Sequence, residues 1–104
     1  MKYGIPDSVL NEINSVFFQS KKVEKLVLFG SRAKGNFKTG SDIDLAVFGS
    51  DLNFSDYLQL SIKLDELELL HKIDLLRFET IENVDLKNHI NRVGIELYNR
   101  KVPA

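Results

Sequence analysis

The chain contains no cysteine and no tryptophan, and its 104 residues include only two prolines and six glycines. Without cysteine it can form no disulfide and no thiolate metal site, which fits a reducing compartment and leads us to expect a cytoplasmic protein. No run of about 18 apolar residues is present, so no transmembrane helix is available. The N-terminus lacks the basic-then-apolar pattern of a secretory signal. An excess of either charge is missing too, since 14 Lys and Arg face 15 Asp and Glu for a formal net charge of -1. Nothing global therefore draws the chain to nucleic acid, and no basic stripe with interleaved aromatics is visible. Any phosphate-binding capacity has to be local.

What is there suits one small domain. The 43% hydrophobic and 28% charged composition is that of an ordinary globular protein, and this length fills one core, residues 1–104, rather than two. Pro6 and Asp7 suit the first turn of a helix, and Val9, Ile13, Val16 and Phe17 continue it at helical spacing to about Ser20. Residues 23–29 read as a buried strand and 42–48 as a second, ended by Gly49, Ser50 and Asp51. Between them lies a loop rich in small and basic residues, with room for one helical turn. Leu, Lys and Glu content favours helix over residues 54–70, and residues 72–78 read as a third strand. The spacing of Leu86, Ile90, Val93 and Leu97 predicts a last helix over 84–99, with Arg100 and Lys101 at its C-terminal end. The order α-β-loop-β-α-β-α is an α/β domain. Its first two strands are close enough in sequence to pair antiparallel, and the helix before the third permits a parallel pair, which together make a small mixed β-sheet flanked by α-helices.

The chemistry concentrates in residues 30–44. Side chains alternate along a strand, so Asp42 and Asp44 share one face and Ile43, Leu45 and Val47 the other. Two like charges about 6–7 Å apart along a strand repel, and a divalent cation relieves that repulsion. Mg²⁺ prefers carboxylate, water and phosphate oxygens, and this pair has room for one shared ion or for two. Taken alone, the two acids also read as the solvated start of a strand. Gly30 and Ser31 follow an apolar strand where the chain must turn; a glycine lets backbone approach a phosphate and a serine adds a hydroxyl donor. Arg32 and Lys34 add positive charge, although Gly-Ser-Arg by itself is equally a polar surface turn. Two phosphate motifs are excluded. Gly35 and Gly40 have Walker-A spacing, but Ser41-Asp42 stands where Lys-Ser/Thr is needed, and no G-x-G-x-x-G exists.

Read together, Gly30-Ser31, ten intervening residues and Asp42-x-Asp44 resemble the signature of the DNA polymerase β-like nucleotidyltransferase superfamily. The fuller text, Leu28-Phe29-Gly30-Ser31-Arg32-Ala33-Lys34-Gly35 with Gly40-Ser41-Asp42-Ile43-Asp44-Leu45, is similar to its minimal nucleotidyltransferase branch, and the likeness extends over nearly the whole chain. The resemblance implies a single-domain nucleotidyltransferase fold with a third carboxylate on the strand beside Asp42 and Asp44. Asp74 matches it; a strand-start acid or an ion pair with Lys72 is the plainer account of that residue. The implied cofactors are Mg²⁺, two ions held by Asp42, Asp44 and Asp74, and ATP as nucleotide donor at Gly30, Ser31, Arg32 and Lys34. Asp74 would also help deprotonate an acceptor hydroxyl.

Asp65, Glu66 and Glu68 read as solvated helix charges. His71 and His89 lie outside the motif and read as structural or surface residues, and Tyr57 and Tyr98 as packing groups before nucleotide-stacking ones. No length is left for an acceptor-binding domain, so a partner or second subunit is expected to complete the site. Minimal nucleotidyltransferases resemble antitoxins of HEPN-domain toxins, which implies transfer of AMP from ATP to a tyrosine of such a partner. Two other readings stand beside it: a non-catalytic module that covers its partner, and a small-molecule enzyme of the aminoglycoside nucleotidyltransferase kind.

Overall fold

A computed structural model describes residues 1–101. Four strands form one mixed sheet in the order β3-β2-β1-β4, with β1 Lys25–Phe29, β2 Ile43–Phe48, β3 Ile73–Arg77 and β4 Ile95–Asn99. β1 pairs antiparallel with β2 and with β4, and β2 pairs parallel with β3. The connection between β1 and β2, which holds only the short helix of residues 30–34, returns the chain antiparallel as expected, and the crossover helix between β2 and β3 allows the parallel pair.

β1 and β2 are central strands buried on both faces. Leu26, Leu28, Ile43, Leu45 and Val47 point into the larger core with Leu75, beneath α1 (Asp7–Phe18) and α3 (Phe54–Glu66). Val27, Phe29 and Ala46 point to the opposite face, where Ile90 of α4 (Val84–Val93) closes a smaller core. α1 buries Leu10, Ile13, Val16 and Phe17. α3 begins at a capping box, in which the Asn53 side chain accepts from the Asp56 N–H at 2.8 Å and Asp56 accepts from the Asn53 N–H at 3.0 Å. That exchange satisfies two helix-start donors at once.

Several boundaries differ from the sequence expectation. The residue 30–41 segment opens with a true short helix, α2 (Gly30–Lys34). α3 stops at Glu66, four residues early, because Glu68 turns into the left-handed region at φ 52° and leaves Leu70 fully exposed. The largest correction is the last element. The helix expected over 84–99 ends at Val93, and Ile95–Asn99 is an edge strand. The backbone leaves the helix at Gly94, which is extended at ψ 143°, and only glycine fits there, because a Cβ would collide with the Ile90 carbonyl and the Val27 side chain. Beyond it Ile95 and Leu97, at period two, pack on the larger core. Arg100 accordingly caps no helix; its guanidinium donates to the Val23 and Ser20 carbonyls at 2.9 and 2.6 Å, clipping β4 to the turn before β1.

Candidate active site

The parallel ladder between β2 and β3 brings the predicted carboxylates together. Asp44 and Asp74 are direct register partners, so their side chains leave the same face of neighbouring strands. Asp42 stands exposed just before β2 begins. On the other side of Asp44 its antiparallel partner is Phe29, which leads into Gly30. Gly30 has φ 75°, and a Cβ at that position would collide with the Asp44 carboxylate. Glycine is therefore needed twice here, for the turn and for the space.

The carboxylates burden one another. Burial pushes the Asp44 carboxyl above its usual range, the charges of Asp74 and Asp42 push it further, and His89 opposes them. Asp74 has one cation near it, the Lys72 ammonium at 3.8 Å, with both side chains well exposed; such a pair holds little. Among the described residues no three acidic, His or Cys side chains already converge on one point. The donor set nonetheless fits Mg²⁺: all oxygen and all carboxylate, with Asp44 and Asp74 on adjacent strands and Asp42 just before β2. Asp42, Asp44 and Asp74 are the residues that would hold it.

An open cleft of about 430 Å³ runs along these groups, lined by Phe29, Asp44 and Asp74 on the sheet and Tyr57, Ser61 and Asp65 on α3. Tyr57, Ser61 and Asp65 recur every fourth residue and so form one wall of helix. Asp65, read from sequence as a solvated charge, belongs to that wall. Tyr57 is anchored by donating its hydroxyl to the Leu75 carbonyl at 2.8 Å. His89, a structural or surface residue by sequence, meets the Phe29 ring edge-on with centroids 6.3 Å apart. No sequence spacing links α4 to residue 29; only the fold does. Tyr98 packs edge-on against Phe18, and His71 and Lys72 line an adjoining depression that shares Leu64, Asp65 and Ile73 with this cleft.

Ser31 and Lys34 lie on α2, with Lys34 exposed at its end. Arg32, from the same helix, is turned the other way. It is 2% exposed, and its guanidinium donates to the carbonyls of Ser41 and Tyr3.

The comparisons agree with this geometry. A family model described as "Polymerase beta, Nucleotidyltransferase" matches residues 11–102. The Methanocaldococcus jannaschii protein named "Putative protein adenylyltransferase MJ1379" is 34% identical over 85 residues, covering 79% of this chain and 84% of that one. A second protein of that organism with the same description is 30% identical over 81 residues; the match spans 78% of this chain and 64% of that relative. Among solved structures, a chain from a toxin–antitoxin crystal structure with AMP-PNP superposes with a TM-score of 0.70 at 26% identity, over 88% of this chain and 74% of that one. A chain from the complex of tri-AMPylated Shewanella oneidensis HEPN toxin with MNT antitoxin gives 0.66 at 24% identity, over 90% and 72%, a likeness of fold. This chain belongs to the polymerase β nucleotidyltransferase family.

Proposed function

We propose that the domain is an Mg²⁺-dependent adenylyltransferase that moves AMP from ATP to a tyrosine hydroxyl of a HEPN-type toxin partner, and so acts as its antitoxin. The observation that carries this reading is the register pairing of Asp44 with Asp74 beside Gly30. It supplies two carboxylates from neighbouring strands next to the Gly30 turn. The names of the M. jannaschii relatives support adenylyl transfer to protein, and the toxin–antitoxin structure with AMP-PNP supports both nucleotide and partner.

In this reading Gly30, Ser31 and Lys34 face the β- and γ-phosphates. Bound Mg²⁺ would neutralise phosphate charge and polarise the α-phosphate. Asp42, Asp44 and Asp74 fix where that charge sits, which is most of the catalytic work in phosphoryl-type transfers. The acceptor oxygen forms a bond to the α-phosphorus as the bond from that phosphorus to the bridging oxygen breaks. Pyrophosphate leaves with the electron pair, and the hydroxyl proton passes to Asp74.

A protein acceptor needs a landing surface, and α3 offers one. Phe54, Leu58 and Ile62 are 65%, 46% and 48% exposed, and their spacing of four places them on one stripe. That stripe adjoins the wall formed by Tyr57, Ser61 and Asp65.

Incubation with labelled ATP, Mg²⁺ and a HEPN partner tests the proposal. Wild type should label the partner, and an Asp42→Ala/Asp44→Ala variant should not; equal labelling by both would end the enzymatic reading. The same stripe also suits protection by binding alone. That second reading gains if the double variant still protects cells from the partner.

A further inference from the structure

We infer that Arg32 is a positioning residue, which sets the place of Asp42 by gripping the preceding peptide and ties the N-terminal turn to the metal-binding loop. This rests on the metal-site reading above. Nε and Nη2 both donate to the Ser41 carbonyl, at 3.2 and 2.8 Å, while Nη1 donates to the Tyr3 carbonyl at 2.9 Å. The Ser41 carbonyl belongs to the peptide whose nitrogen is that of Asp42. Two bonds from a rigid planar fork onto one oxygen fix that peptide's direction, a task a lysine's point charge performs poorly.

The rest of the environment serves the same grip. The Phe37 ring lies under the guanidinium, 5.1 Å from its centroid to Cζ, a favourable cation–π arrangement. Lys38 N–H donates to Ser41 Oγ at 2.8 Å and Ser41 N–H to the Lys38 carbonyl at 3.0 Å, which ties the loop just before the gripped carbonyl, and the Ile43 N–H donates to the Lys72 carbonyl at 2.9 Å just after it. At the other pole, Lys2 and Ile5 exchange backbone bonds of 3.0 and 2.8 Å around Tyr3 and Gly4, both at positive φ. Ile5 beneath them is fully buried. A Cβ on Gly4 would press on the Phe37 ring and stand 2.7 Å from Arg32 Nη1. Among the described residues no carboxylate forms an ion pair with Arg32. A buried cation balanced by carbonyl dipoles and one aromatic face is costly to keep, and at 2% exposure, with three of its five N–H donors spent on carbonyls, it is poorly placed to meet a phosphate from solvent. A residue with this placement serves the metal as an outer-shell support rather than as a ligand.

The test measures Mn²⁺ binding to the nucleotide-free protein by electron paramagnetic resonance, with ATP binding in EDTA measured separately by calorimetry. Arg32→Lys should weaken Mn²⁺ roughly 10-fold or more, the usual cost of losing an outer-shell support, and leave metal-free ATP affinity unchanged. It should also speed hydrogen exchange at the Ser41 and Ile43 amides. Leu10→Ala, a core variant away from the loop, controls for lost stability and should keep wild-type Mn²⁺ affinity. If Arg32→Lys does not fold, Gly4→Ala carries the test, since it displaces the guanidinium without removing it. Wild-type Mn²⁺ affinity and exchange in the Arg32 variant would overturn the inference. So would a loss of metal-free ATP binding, which would make Arg32 a phosphate ligand. A wild type that binds no Mn²⁺ at all would sink the metal-site reading itself, and the inference with it.

Discussion

Gly30 and Asp44 share one small volume, and each constrains the other. Gly30→Ala would force a methyl group into the Asp44 carboxylate from a backbone already at φ 75°. Displacing a positioning group by about an ångström costs on the order of 100-fold in rate, so kcat/KM for AMP transfer should fall by about that much; an unchanged value would remove Gly30 from the site. Asp44 also makes a prediction about pH. Its carboxyl is raised in the fold, by burial first and then by Asp74 and Asp42. A raised acid contributes stability that is complete below its ordinary pKa and is lost as pH rises through the raised value. Without metal, Asp44→Asn should therefore match wild type at acid pH and become the more stable of the two towards neutrality. Paired melts across pH check this. Added Mg²⁺ should reverse the order at neutral pH, because only wild type gains from binding it.

At the scale of elements, residue type announced some features and concealed others. The three strands expected from sequence are all present to within two residues at each end: β1 and β2 are central and mostly apolar, and β3, at the edge, is marked by Ile73, Leu75 and Leu76. β4 was concealed. Leu86, Ile90, Val93 and Leu97 fit a helical stripe, and the glycine among them was read through. The space that only a glycine fits at position 94 is set by Val27, far away in sequence. Gly94→Ala should overpack that contact and cost about 1–3 kcal/mol, lowering Tm by at least about 5 °C in a domain of this size; differential scanning calorimetry would show it. α3 behaves differently on its two sides. Ile62→Asp, on the exposed stripe, should reduce affinity for the HEPN partner roughly tenfold or more while leaving ATP binding alone. Unaltered capture of the partner by this variant would place the docking surface elsewhere.

For the whole molecule, binding and folding are linked. A ligand present at about 100 times its Kd stabilises by about 2.7 kcal/mol, so ATP with Mg²⁺ should raise Tm clearly in wild type and not in the Asp42→Ala/Asp44→Ala variant. The candidate site itself was legible wherever it is local in sequence, from Gly30 to Asp44, and Asp74 was reached through the family pattern. Arg32 shows where local reading stops. An arginine beside Gly-Ser has the right chemistry for phosphate, but its direction is decided by the carbonyls of Tyr3 and Ser41, which no periodicity reveals. Asp65 and His89 likewise join the site only after α3 and α4 have packed.

The ladder between β2 and β3 acts as a ruler for the carboxylates. Its rungs are backbone hydrogen bonds, and neighbouring strands stand about 4.8 Å apart whatever side chains they carry. A slip of one residue would set Ile73 or Leu75 opposite Asp44 and send the acid to the other face. Sequence can therefore drift widely across this domain without altering the spacing of Asp44 and Asp74, provided the strands keep count. A single deletion within β3 would miscount them while leaving every acid in the chain.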